Sequence, residues 1–387
     1  MNKKINIVYK LRLLFSKPGF HLVFLMVWFL LLAIIANYSG VNSYQEFINT
    51  LANGKINFSI PGFHGVDFLS FPIYLASGSQ ITPNIVDAIL AILAIPFFYL
   101  VGRELFKTKQ AGIFLAYGYA LMPLQWLDFL RGEHQASFIF FFIFGLWLLL
   151  IKSGWSWLAL GCSYVIKPYA IFIFPIFVYK KQLRQFLLSL IIPVIYLTVQ
   201  VGQTGSVMIG AHPDKTISSL FNIHRMIFNL VYAIQNIFSV HNFSPFSSVY
   251  LTDMSNVSVI IIISAIIGLF CYQDFFVSQY WFKELTISII FSLLLGFVVP
   301  VTFEYLDMYR LVVFYIMINV LAIPVLVSNK FKFFVPLIVG LSGFQFLYSY
   351  MAYRHIFGTD GSLIFLGGWL VILIFSVFYY FFSDNTL

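Results

Sequence analysis

Apolar runs about as long as one bilayer crossing recur along the whole chain. They fall near residues 21–38, 84–101, 111–129, 136–151, 186–202, 257–273, 285–301, 311–327, 333–350 and 363–382. Inside hydrocarbon a backbone has no water to bond with, so such a run satisfies its own N–H and C=O groups as a helix. The composition agrees: 9% of the 387 residues are charged and 61% are hydrophobic, whereas a soluble domain carries about a quarter charged residues. The reading is an all-α integral membrane protein, a single transmembrane domain over 1–387, folded as a polytopic bundle of about ten spans.

The stretch 155–179 departs from this pattern. Lys167-Pro168 interrupts it, and proline disfavours helix at the residue before it. Lys152 on one side and Lys180, Lys181 and Arg184 on the other bracket it. Two half-length helices forming a re-entrant hairpin are expected there.

The net charge of +8 is spread singly between apolar runs, which is a topology signal and not a nucleic-acid-binding face. With the N-terminus in the cytoplasm, all of the 22 basic residues except Lys55, Arg131, Lys167, Lys215, Arg225, Arg310 and Arg354 fall on the cytoplasmic side, as the positive-inside rule requires. Both termini are then cytoplasmic, and a cytoplasmic (inner) membrane is the expected location. Most acids fall on the outer side, so the chemistry is expected there. Cys162 and Cys271 both lie in apolar stretches, which indicates neither a disulfide framework nor a cysteine metal site.

Two outer segments are long. The first, 40–82, is read as an outer loop holding Glu46, His64 and Asp67; the second, 203–256, contains an amphipathic stretch near 217–238 expected to form an interfacial helix. Charges beside or within spans are costly and tend to face a cavity, so each is a candidate site residue. Glu46 also reads as a solvated carboxylate, and Asp67, apolar on both sides, as a helix N-cap. Asp128, Arg131, Glu133 and His134 crowd one inter-span turn, where mutual capping and salt bridging is the alternative. Lys167 at the hairpin tip has snorkelling to the interface as its alternative. Glu304, Asp307 and Arg310 cluster at the start of a late helix, with Asp307 and Arg310 three apart on one face, where an ion pair is the plainer reading. No metal-ligand spacing, P-loop, nucleophile elbow or dinucleotide fingerprint occurs, so no cofactor or metal is expected. Carboxylates suited to taking a hydroxyl proton, set among cations suited to holding a phosphate, suggest group transfer from a lipid phosphate.

The order of these motifs resembles the GT-C glycosyltransferases, and most nearly the dolichyl-phosphate-glucose-dependent glucosyltransferases of asparagine-linked glycosylation. That family carries an acidic Gly-Asp-Tyr-Glu motif and then Gly-Leu-Asp-Tyr-Pro-Pro-Leu. This chain has Ser43-Tyr44-Gln45-Glu46 and then Gly65-Val66-Asp67-Phe68-Leu69-Ser70-Phe71-Pro72. Pro123, Leu127-Asp128, His134-Gln135 and Lys167-Pro168 follow in the family's order, so the likeness spans residues 20–185. Ser43 stands where the family has its loop Asp, and Gln45 where it has the following Glu, which leaves Glu46 or Asp67 as the base.

The resemblance implies an inverting transfer of a sugar from a polyprenyl-phosphate donor to a hydroxyl of a glycan, glycolipid or protein. Glu46 or Asp67 takes the proton; Arg310, His134, Lys167 and Arg131 hold the donor phosphate; Asp128, Asp307 and Glu304 support them. A polysaccharide (O-antigen or exopolysaccharide) polymerase, a lipid-linked glycan flippase or other transporter, and a structural subunit are the alternatives. A transporter would call for paired broken helices in corresponding halves, and this sequence has one such break.

Overall fold

The computed structural model describes residues 17–36, 43–58, 64–79, 82–120, 135–167, 182–205, 370–371 and 374. All regular structure among them is helical, with no strand. In chain order the helices are α1 (Pro18–Ala36), α2 (Ser43–Ala52), α3 (Gly65–Ser77), α4 (Thr82–Phe106), α5 (Lys109–Ala120), α6 (Gln135–Leu150), α7 (Ser156–Ile166), α8 (Leu183–Ser189) and α9 (Ile191–Thr204). Among the described residues, two stretches are long and apolar enough to cross a membrane: α4 with 25 residues, and the continuous α8–α9 stretch Leu183–Thr204 with 22. The expected runs between 257 and 350 lie outside the described residues, as do segment 206–256, with its expected interfacial helix, and residues 168–181.

Helix α4 is the hub. It packs against α1, α3, α5 and α6, and a second group forms around α7, which touches α3, α6, α8 and α9. Tyr119 of α5 pins the first group together. Its ring stacks on Phe98 of α4 at 4.2 Å and on Phe29 of α1 at 5.4 Å. Its hydroxyl donates to the Ala91 carbonyl at 3.2 Å, as a buried phenolic O–H requires. On another side of α4, Phe97 packs on Phe140, Phe144 and Trp147 of α6.

Where helices meet closest, the contact residue is glycine. A Cβ at Gly112 would come within 2.5 Å of the Tyr99 carbonyl oxygen, and one at Gly102 within 2.7 Å of the Ala111 carbonyl oxygen. The α4–α5 crossing therefore depends on two missing side chains, the small-residue packing that lets backbones approach in apolar surroundings. The hairpin that allows it turns at Lys107, which is left-handed (φ 56°). Thr108 then caps α5, its Oγ1 accepting the Ala111 N–H at 3.3 Å.

Within the segment 40–82, read as an outer loop, the described residues form the helices α2 and α3. The reason is an apolar stripe: α2 buries Phe47, Ile48 and Leu51 while Glu46 and Ala52 stay exposed, the spacing of a one-sided helix. That stripe packs with Phe58, Phe68 and Phe71. Tyr74 of α3 adds a polar tie, donating to Asn49 Oδ1 of α2 at 2.6 Å. Helix α3 stops at Gly78, left-handed at φ 63°, whose N–H bonds the Tyr74 carbonyl. The run expected at 84–101 is longer in the structure, extending over 82–106 because Thr82-Pro83 starts the helix early.

Gly112→Val tests the crossing. It should cost about 1–3 kcal/mol through overpacking against backbone that has no rotamer to yield, read as a lower unfolding temperature in detergent. A wild-type melting curve would mean that α4 and α5 separate at little cost.

Candidate functional site

Helix α3 begins at His64, whose carbonyl accepts the first helical bond from Phe68 N at 3.2 Å. Asp67, expected either as a base or as an N-cap, is neither at the N-cap position nor accessible: it sits in the first turn, 0% exposed. Its Oδ2 accepts a hydrogen bond from His64 Nδ1 at 3.0 Å, the nitrogen donating because an ionised carboxylate only accepts. His64 is 1% exposed, and its ring lies flat on Phe47 of α2, with centroids 3.7 Å apart and planes within 5°. One acid thus orients an imidazole, and that imidazole is clamped against the neighbouring helix.

The second carboxylate oxygen, Asp67 Oδ1, is buried with no hydrogen-bond partner. Burial pushes the Asp67 carboxyl up from 3.8 to about 6, while the His64 hydrogen bond and charge pull the other way. A position in the first turn of α3 favours negative charge, but the carboxylate remains half-satisfied.

Glu46 is placed differently. It lies on α2 next to Phe47 in sequence, and its side chain is exposed while that of Phe47 is buried. The two acids of this segment therefore do not share one surface.

Lys167 ends α7 in an extended conformation (φ −149°, ψ 128°), as the following proline dictates. It is half-buried. The residue before it, Ile166, packs against Gly65 so closely that a Cβ there would fall 2.8 Å from Ile166 Cγ1 and 2.9 Å from its Cα. Gly65 is thus a backbone contact point: His64 precedes it on one chain segment, and Lys167 follows Ile166 on the other. Of the residues singled out from the sequence, this contact draws together the Asp67 and Lys167 neighbourhoods. Asp128, Arg131, His134, Glu304, Asp307 and Arg310 lie outside the described residues.

Beside this contact runs an apolar groove of about 390 Å³. Its walls are α3 (Gly65, Phe68), α7 (Cys162, Ile166) and α9 (Ile195, Tyr196). Phe58 closes one part, tied to α9 by its N–H donating to Gln203 Oε1 at 3.3 Å. Among the described residues no group of three or more His, Cys, Asp or Glu side chains is arranged to hold a metal ion.

One buried acid escaped the sequence reading. Asp87 lies within the apolar run of α4, 4% exposed, and its Oδ1 accepts the Ser137 N–H at 2.7 Å as well as the Ser137 hydroxyl. It caps the start of α6 from a neighbouring helix, satisfying an N–H that α6 itself leaves open. The signal was available: an acid inside an otherwise apolar span has to find a partner.

The pH behaviour of Asp67 is testable. Between 3.8 and about 6 the native carboxyl holds a proton that the unfolded chain has released, so its contribution to stability falls as pH rises through that window. Asp67→Asn stays neutral and can still accept from His64. Its unfolding free energy should exceed that of the wild type by a margin that grows across the window, on the order of 3 kcal/mol once the wild-type carboxyl is fully ionised. Parallel stability curves would mean that Asp67 titrates like an exposed acid. No protein-family model, curated protein or solved structure matches this chain.

Proposed function

We propose that this chain is a GT-C-type glycosyltransferase that moves a sugar from a polyprenyl-phosphate carrier to an acceptor hydroxyl on a glycan, glycolipid or protein. In this reading it is a multi-pass protein of a cytoplasmic membrane, with about ten spans and the 155–179 hairpin, both termini in the cytoplasm and the site on the outer face. The observation that carries the reading is the juxtaposition at Gly65. An apolar groove runs beside it, the His64–Asp67 pair lies on one side, and Lys167 lies on the other. A molecule with a hydrocarbon tail has complementary apolar walls there, and in this reading Lys167, the residue after the groove-lining Ile166, supplies the cation for its anionic head.

The reaction needs a proton acceptor and charge stabilisation. A carboxylate, Glu46 or Asp67, removes the acceptor hydroxyl proton. The resulting oxygen attacks the anomeric carbon, and the bond from that carbon to the phosphate oxygen breaks, releasing polyprenyl phosphate. Lys167, together with Arg310, His134 and Arg131, neutralises the charge that develops on the departing phosphate; Asp128, Asp307 and Glu304 hold those cations in place. Fixed cations aimed at developing charge contribute several kcal/mol to such a step, which requires no cofactor.

The test is transfer by the purified protein in lipid nanodiscs, offered a polyprenyl-monophosphate sugar and, separately, a polyprenyl-diphosphate oligosaccharide. Turnover of the monophosphate donor is expected. Exclusive use of the diphosphate would make the chain a polymerase. Of Glu46→Gln and Asp67→Asn, at least one should lower transfer by about a hundredfold or more, and full transfer by both overturns the base assignment. Arg310→Ala and Lys167→Ala should raise the KM for donor more than that for acceptor; unchanged donor kinetics would remove those residues from the phosphate site.

A further inference from the structure

The two candidate acids occupy opposite situations, and the contacts between them suggest a division of labour. Asp67 is fully buried, and its one hydrogen-bonded oxygen goes to His64. His64 in turn presents its ring face to Phe47 at 3.7 Å and nearly parallel. Phe47 is 0% exposed and belongs to the α2 stripe that holds that helix on α3. Glu46 is the neighbouring residue on α2 and is exposed. A flat imidazole stacked on a phenyl ring fixes both the distance between helices and the rotation of α2 about its axis, because the stack survives only while Phe47 faces His64. The rotation of α2 decides where Glu46 points. The Nδ1 hydrogen bond constrains the imidazole plane, so Asp67 helps to orient the face on which Phe47 rests.

We propose that Asp67 and His64 are positioning residues that lock α2 through Phe47, and that Glu46 is the carboxylate that meets the acceptor. The activity half of this inference rests on the transferase reading; the locking half does not. Asp67 needs only to accept a hydrogen bond, a task that asparagine shares and alanine does not. Glu46 needs to take a proton, which glutamine cannot do.

The experiment measures, on the full chain in lipid nanodiscs, both sugar transfer from a polyprenyl-monophosphate donor and amide hydrogen exchange of residues 43–52. Asp67→Ala and His64→Ala should each speed exchange in α2 by about tenfold or more, as expected for loosening one local unit, while α4 and α6 keep wild-type protection and so report intact folding. Asp67→Asn should keep α2 protected and retain at least about ten times the transfer rate of Asp67→Ala. The double variant Asp67→Ala/His64→Ala should be no worse than either single variant, because both act through one contact. Glu46→Gln should lose transfer while leaving α2 exchange at the wild-type rate.

Loss of transfer in Asp67→Asn with α2 still protected would make Asp67 the base and overturn the proposal. Unchanged α2 exchange in both alanine variants would also overturn it, because the lock would then carry no load. If the wild type transfers no sugar from any lipid-phosphate donor, the function proposed above fails, and the exchange measurements still decide whether His64 and Asp67 hold α2.

Discussion

A helix surrounded by other helices has no water on any side, so each polar group that it carries has to be settled by a neighbour. Helix α4 is in that position on the faces that α1, α3, α5 and α6 cover, while Ile85, Ile89 and Leu93 form one exposed apolar stripe. Its settlements define the arrangement. The Ala91 carbonyl takes the Tyr119 hydroxyl, Asp87 takes the start of α6, and Gly102 leaves room for α5 to lie directly on it. Each contact is directional or steric, whereas apolar contact alone would permit α5 and α6 to slide along α4. Tyr119 is the most connected of them, joining α1, α4 and α5 through two stacked rings and one hydrogen bond.

The two buried acids show how the same residue type becomes structural or strained according to what surrounds it. Asp87 receives a backbone N–H and a hydroxyl, and both partners are fixed at the start of one helix. Asp67 receives one imidazole N–H and leaves an oxygen buried and unpartnered, and burial accordingly raises its pKa to about 6. A half-satisfied carboxylate persists only where surrounding contacts hold it, here the Phe47 stack on one side and the Gly65–Ile166 contact on the other. The strain lies at the junction of α2, α3 and α7, which is also the edge of the apolar groove.

The groove itself needs three elements distant in sequence: α3, α7 and α9. Glycine at 65 is what allows α3 to meet the end of α7 at backbone distance, and proline at 168 follows the residue where α7 stops. Lys167 therefore emerges beside α3 for two local reasons, one on each chain segment. Neither reason refers to the other, and their coincidence in space belongs to the fold.

From the sequence alone, the helical character of the chain, the start and stop of α6 and the end of α7 at Lys167-Pro168 are legible, because period, apolar length and proline are local properties. The special standing of Asp67 is legible too, since an acid with apolar neighbours on both sides has to be buried with a partner or solvated at some cost. The partner is not legible. His64 stands three residues away, and only the helical turn beginning there brings its Nδ1 to Asp67, while the stack on Phe47 requires α2 and α3 to pack. The pairing of α2 with α3 and the role of Asp87 stayed hidden for the same reason: the α2 stripe and the Ser137 cap acquire meaning only against another helix. Sequence by itself determined that the long apolar runs are helical and that Asp67 is too polar for its neighbours. Tertiary structure decided which residues meet, because hydrogen bonds and ring stacks act over a few ångströms between segments that the chain separates by tens of residues.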